Sequence, residues 1–286
     1  MSWLAASVGA LVAGLSIPLL IGLAQRLGAI DNPNTDVVTH TRSVPLFGGV
    51  AIIAGTLSAW GFVPAWRIPL PALLGMSLLC LMGLYKDISR RDLSPWLQLT
   101  VQMLFCGLVL LSMVPTDIVA VWLLLLWLLA GVALINAINF LDVSDGLCAT
   151  VAITLCMGMY LAGASVASLF LAGGLVGFLA WNRPRAQIFM GDVGSFFIAA
   201  WLYIVLLDGL VGRGGFWGIW FVLAVPFGEL AATMLVRRAR ARSIMQGDAS
   251  HLSLLLLNNG MSPWVLLACF GSVSLMCTII TVVFLL

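Results

Sequence analysis

Residues 118–146 read Ile118-Val-Ala-Val121-Trp-Leu-Leu-Leu-Leu-Trp127-Leu-Leu-Ala-Gly131-Val-Ala-Leu-Ile-Asn136-Ala-Ile-Asn139-Phe-Leu-Asp142-Val-Ser-Asp145-Gly146. An unbroken apolar run long enough to form most of a membrane span ends in two amides and two carboxylates at spacing three. Positions i and i+3 share a helix face, so Asn136, Asn139 and Asp142 fall on one stripe with Asp145 close behind. Asp145 and Gly146 would also suit a helix cap and its turn. That simpler reading leaves two Asn and Asp142 at membrane depth, where polar groups are costly and usually functional.

The rest of the chain has the same character. Of its 286 residues, 62% are hydrophobic and 8% charged, with a mean hydropathy of +1.14. Soluble domains are about half apolar and a quarter charged, so a soluble enzyme, a disordered chain and a nucleic-acid-binding chain are excluded. The expected fold is an all-α integral membrane protein, one transmembrane domain over residues 1–286. Charged and turn-rich stretches cut it into ten spans: 3–24, 45–65, 69–86, 96–113, 118–138, 147–163, 165–181, 194–211, 215–236 and 263–285. The first reads as a retained helix, since no Lys or Arg precedes it and no small-residue cleavage site follows. The six cysteines all lie in apolar runs without metal-ligand spacing and read as small buried hydrophobes.

Charge gives the expected orientation. Eleven of the thirteen cations lie at or beside the joins 25–44, 87–95, 139–146, 182–193 and 237–262, leaving Arg67 and Arg213 elsewhere. The positive-inside rule makes those joins cytoplasmic and both termini extracytoplasmic. Eight aspartates and both histidines, His40 and His251, share that face. Longer loops could account for them. A cytoplasm-facing polar site assembled from several joins accounts for them more sharply.

Three of these joins carry candidate chemistry. In Ile188-Phe189-Met-Gly191-Asp192-Val-Gly194-Ser195, paired glycines and a carboxylate open an apolar helix. Such a start offers free N–H groups to phosphate, or a carboxylate to the Mg²⁺ that carries it. Lys86-Asp87 stands where a helix emerges, before Ser94-Pro95, which suits a helix start. Asp87 there is a ligand or a solvated end. Arg237, Arg238, Arg240 and Arg242 suit topology and anionic lipid, while Asp248 and His251 could form a phosphate-contacting pair. Together these features indicate phosphate chemistry at a membrane face.

In this order, the segments resemble the polyprenyl-phosphate N-acetylhexosamine-1-phosphate transferases, which start peptidoglycan, O-antigen lipopolysaccharide, enterobacterial common antigen and teichoic acid linkage. Asp31-Asn-Pro33-Asn34 with His40-Thr-Arg-Ser-Val-Pro45-Leu-Phe-Gly48-Gly49 resembles the family's first cytoplasmic loop. Asn136 to Leu147 resembles its Asn-Ala-x-Asn-x-x-Asp-Gly-x-Asp-Gly-Leu motif, and Ile188 to Ser195 its metal-site loop. Pro226-Phe-Gly-Glu229 and Asp248-Ala-Ser-His251-Leu resemble two further family patterns.

The resemblance implies that a polyprenyl phosphate attacks the β-phosphorus of a UDP-N-acetylhexosamine, with a lean toward UDP-GlcNAc, and releases UMP at the inner (plasma) membrane. It implies Mg²⁺, with Mn²⁺ as a substitute, held by Asp192 with Asp87 beside it. Asp87, Asp192, Lys86 and His251 become the catalytic candidates. His40, Asn136, Asn139, Asp142, Asp145, Asn182, Phe189 and Asp248 become the substrate-binding ones. The implied partners are the two substrates, membrane lipid and, as a candidate, a second copy of the chain; nucleic acid is not among them.

Three segments depart from the family pattern. Lys86, the chain's one lysine, stands where the family carries the first Asp of Asp-Asp. His251-Leu252-Ser253 replaces a His-Leu-His-His run, and Val143 replaces a glycine. An active transferase is the first expectation. A catalytically weakened or inactive paralogue that binds UDP-sugar or lipid phosphate is the second, and a transporter of phosphorylated lipid a distant third.

Overall fold

The computed structural model describes residues 1–33, 42–115, 119–163, 165–210, 223–240 and 250–285. His40, Asp248 and Arg242 lie outside the described residues. Those described form eleven helices and one two-stranded pairing. In chain order they are α1 Ser2–Leu27, β1 Ile30–Asp31, β2 Val44–Pro45, α2 Gly48–Gly61, α3 Leu70–Ser89, α4 Pro95–Met113, α5 Val121–Leu141 and α6 Leu147–Leu161. There follow α7 Ala167–Asn182, α8 Gly191–Leu210, α9 Ala224–Ala239, α10 Leu252–Asn258 and α11 Pro263–Leu285.

Six of these, α1, α3, α4, α5, α8 and α11, are long and apolar enough to cross a membrane, and α2, α6 and α7 are shorter apolar helices. The chain is a mostly helical, multi-pass membrane protein. Its middle is α8, 89% of whose apolar window is buried, against 22–39% for the other five. The outer helices keep Leu, Trp and Met side chains exposed, which suits lipid rather than water as the surrounding solvent. Helix α8 packs against α3, α5 and α2, while α1, α2 and α7 form a second packed group.

Local chemistry sets the helix ends. Gly28 ends α1 in the left-handed region, φ 73°, and turns the chain into β1. β1 pairs antiparallel with β2, Ile30 opposite Pro45 and Asp31 opposite Val44. This short pairing and the seven-residue α10 had no counterpart in the hydropathy pattern, which sees only long apolar runs. α4 starts at Pro95 as expected, although Ser94 makes no side-chain cap bond. The cysteine expectation needs one correction: Cys106, Cys148 and Cys156 are buried, but Cys269 is exposed on the outward face of α11.

One end of the bundle is tied together by its backbone. Phe189 N–H donates to Pro45 O (2.8 Å), and Gly48 and Gly49 N–H donate to Phe189 O and Met190 O (both 2.9 Å). Gly49 and Gly194 bring the starts of α2 and α8 so close that a Cβ on either would lie within 2.8 Å of the other's Cα. That contact fixes the segment leading into Asp192.

Candidate active site

The tied end of the bundle holds a cavity of about 430 Å³. Its walls come from the end of α3, the end of α5, the start of α8 and the β1 strand. Five carboxylates, Asp31, Asp87, Asp92, Asp142 and Asp192, line it together with three cations, Lys86, Arg90 and Arg91, and Asn139.

Asp87 is 4% exposed and crosses from α3 to close the start of α8. Its Oδ1 accepts the Asp192 N–H (2.8 Å) and its Oδ2 the Val193 N–H (3.1 Å). Of the two readings of the Gly-Asp loop, free N–H groups for phosphate or a carboxylate for Mg²⁺, the first loses these two donors, which Asp87 already satisfies. A carboxylate at a helix N-terminus gains from both the charge-assisted bonds and the helix dipole. Gly191 makes the approach feasible. It has φ 70°, and a Cβ there would lie 2.5 Å from Asp87 Oδ2.

Asp192 is held on both oxygens. Asn139 Nδ2 donates to Oδ1 (2.8 Å) and also to Ser195 Oγ (2.9 Å). Lys86 Nζ pairs with Oδ2 at 2.6 Å and donates to Gln98 Oε1 at 3.1 Å. Lys86 also lies 5.7 Å from the centre of the Phe196 ring. On the rim, Arg90 bridges to Asp31. Asp142 follows α5 and lines the cavity. Burial, then the carboxylates of Asp192, Asp87, Asp145 and Asp31, push its carboxyl well above the usual range.

The other candidates fall elsewhere. Asn136 sits one turn deeper, where its Nδ2 donates to Gln102 Oε1 and Val132 O, both 2.8 Å. Asp145 does not cap α6, whose N-cap is Gly146; its Oδ2 instead accepts N–H from Arg185 and Ala186 (2.9 and 3.0 Å). Asn182 latches the same two joins, accepting the Gly146 N–H (3.0 Å) and donating to Ile188 O (2.9 Å). Phe189 is half-buried and contributes its backbone to the tie with Pro45 and Gly48.

His251 is 5% exposed and packs edge-on against Phe140, ring centres 5.1 Å apart, rather than lining the cavity. The Arg237 guanidinium lies 5.1 Å from the same ring. Beside them Glu229 Oε1 accepts the Ser253 N–H and hydroxyl (3.1 and 2.9 Å). Ser253 thus fills a position where the family pattern places a histidine. Sequence reasoning missed Gln98 and Gln102. Gln98 and Gln102, lone amides in an apolar helix, were the available signal.

The metal implied by the resemblance can be tested against these donors. Among the described residues no three His, Cys, Asp or Glu side chains group closely enough to hold a metal by themselves. Mg²⁺ rarely asks for that. It keeps several waters and uses one or two carboxylates plus substrate phosphates. Asp192 and Asp142 on one acid-rich cavity fit that mode, a cation arriving with phosphate rather than a resident all-protein centre.

The family model described as Glycosyl transferase family 4 matches residues 70–210, which contain Lys86, Asp87, Asn139, Asp142 and Asp192. A decaprenyl-phosphate N-acetylglucosaminephosphotransferase of Mycobacterium tuberculosis is 30% identical over 315 residues, covering 88% of this chain and 77% of that protein. The chain belongs to glycosyl transferase family 4. Within this family, a probable undecaprenyl-phosphate N-acetylglucosaminyl 1-phosphate transferase of Bacillus subtilis is 27% identical over 272 residues, 86% of this chain and 74% of its own. A phospho-N-acetylmuramoyl-pentapeptide-transferase of Carboxydothermus hydrogenoformans is 45% identical, over 74 residues that make up 23% of this chain and 22% of its own.

Proposed function

We propose that this family 4 protein transfers GlcNAc-1-phosphate from UDP-GlcNAc to a polyprenyl phosphate, releasing UMP and starting a cell-envelope glycan at the inner (plasma) membrane. A phosphate oxygen of the lipid forms a bond to the β-phosphorus of the donor. The bond from that phosphorus to the bridging oxygen breaks, and UMP takes the electron pair. One phosphoanhydride replaces another, so the work of the site is to align and neutralise two polyanions. The observation that carries this reading is the cavity at one bundle end, where Asp192 is fixed on both oxygens among three cations.

In this reading Asp87 and Asn139 hold Asp192 in place, and Lys86, Arg90 and Arg91 meet phosphate oxygens. Asp192 and Asp142 would hold Mg²⁺, which supplies charge neutralisation of the pyrophosphate. The six long helices together with α2, α6, α7 and α9 make ten crossings, with the cavity cytoplasmic and both termini on the far side. The printed activities of the two N-acetylglucosaminyl relatives support GlcNAc as the sugar.

One observation favours a second reading. The Lys86–Asp192 ion pair leaves Asp192 less free for a metal, as a relative that binds UDP-sugar without turning it over would tolerate. Membranes containing the protein, undecaprenyl phosphate, Mg²⁺ and radiolabelled UDP-GlcNAc separate the two. The transferase reading expects butanol-extractable label that disappears in Asp192→Asn and vector-only membranes. Saturable UDP-GlcNAc binding without label would establish the second reading.

A further inference from the structure

Lys86 makes a contact that its cavity can use in two ways. Asp192 has two carboxylate oxygens, and Asn139 takes Oδ1. The Lys86 ammonium holds Oδ2 at 2.6 Å, so a cation that binds Asp192 through that oxygen has to displace it. The pair is sheltered but not sealed, with side chains 13% and 24% exposed. An ammonium is a compact charge on a flexible stem, able to leave a carboxylate without dismantling it. Gln98 Oε1 and the Phe196 ring are the other partners of the ammonium itself, at 3.1 Å and 5.7 Å from Nζ.

Charge gives the reason for it to leave. The lining carries more carboxylates than cations, so a pyrophosphate gains little by entering alone. A divalent cation that binds through phosphates and one or two carboxylates would compete with Lys86 for Oδ2.

We propose that Lys86 is a displaceable internal counter-ion of Asp192, which keeps divalent cations weakly bound until a phosphate ligand brings one in, and whose freed ammonium then meets that phosphate. This rests on the reading above only in taking the cavity's anion to be phosphate. It makes divalent-cation and phosphate binding mutually dependent, and gives the one lysine of the chain a positioning role that a carboxylate there could not serve.

The test uses the full chain in detergent micelles and Mn²⁺ as probe, counted by the electron paramagnetic resonance of the free ion. Without nucleotide, Lys86→Gln is expected to bind Mn²⁺ about tenfold more tightly than the natural protein, the shift that removal of one sheltered competing charge gives. Lys86→Arg, which keeps the charge and grips a carboxylate with two donors, is expected to show no gain. The double variant Lys86→Gln/Asp192→Asn is expected to lose it. In the natural protein UDP or farnesyl phosphate should tighten Mn²⁺, and whichever does so identifies the donor or the lipid as the source of the phosphate. Unchanged or weaker Mn²⁺ binding by Lys86→Gln overturns the proposal, and Lys86→Met repeats the test should the glutamine variant not fold. The two readings fail separately. Transfer activity with no gain in Mn²⁺ affinity sinks the counter-ion alone, and a gain without transfer from any UDP-sugar sinks the transferase alone.

Discussion

Asp87 and Asp192 stand on different helices, yet the carboxylate of the first accepts the backbone N–H of the second at 2.8 Å and that of Val193 at 3.1 Å. A residue read from sequence as a metal ligand or a solvated end thus caps the most buried helix of the bundle. Asp87→Ala leaves two N–H groups without acceptors in a buried setting, which costs about 1–3 kcal/mol for each. The variant should melt several degrees lower in detergent, and the fall should exceed that of Asp192→Ala. An equal or smaller fall would mean that the cap contributes little.

Gly191→Ala tests the same contact from the other side. A methyl group would press on Asp87 Oδ2 and the backbone would have to keep φ 70°, a conformation disfavoured by about 1–2 kcal/mol for a residue with a Cβ. Transfer should fall about 100-fold while the protein still inserts and extracts as the natural one does. Activity within a few-fold of the natural protein would show that Asp87 need not be where it is.

Asn139 is a donor twice over, to Asp192 and to Ser195. Asn139→Asp keeps the shape and replaces the bond to Asp192 by repulsion, in a cavity already rich in carboxylates. Sugar-phosphate transfer is expected to drop about 100-fold, with partial recovery at low pH as the new carboxyl is protonated. A pH-independent loss would point to shape rather than charge.

Asp142 sets a pH dependence. Its carboxyl is held above the usual range by burial and by the carboxylates around it, so between the unfolded and folded values the folded chain binds more protons. Stability therefore falls as pH rises through that window. With EDTA present, Asp142→Asn should be the more thermostable protein at neutral pH, and the advantage should vanish below about pH 4. Melting curves at both pH values check it. A variant no more stable at neutral pH would contradict the environment described.

Much of this was legible in the sequence because lipid leaves few choices. Apolar runs long enough to cross a bilayer have to be helices, and polar residues that survive in them mark their own end of the bundle. Asn139, Asp142 and Asp192 were found that way. Which polar side chain meets which was not legible. Asn136 and Asn139 share a face, yet one turn of depth sends Asn136 to Gln102 and Asn139 to Asp192. Spacing also could not separate side chains that face the cavity from those that hold its walls. Asp145 and Asn182 are paired to backbone across two joins, and His251 is packed on Phe140. Tertiary geometry made those assignments, through contacts between residues far apart in the chain.

The Asp87 cap also dates the site within the life of the chain. A ribosome delivers α3 long before α8, and until residues 192 and 193 emerge the Asp87 carboxylate has no backbone partner at a place where an unpaired charge is costly. A truncated or stalled chain therefore carries an incomplete pocket, and the catalytic wall closes only when the central helix arrives. The cap therefore couples completion of the pocket to arrival of the central helix.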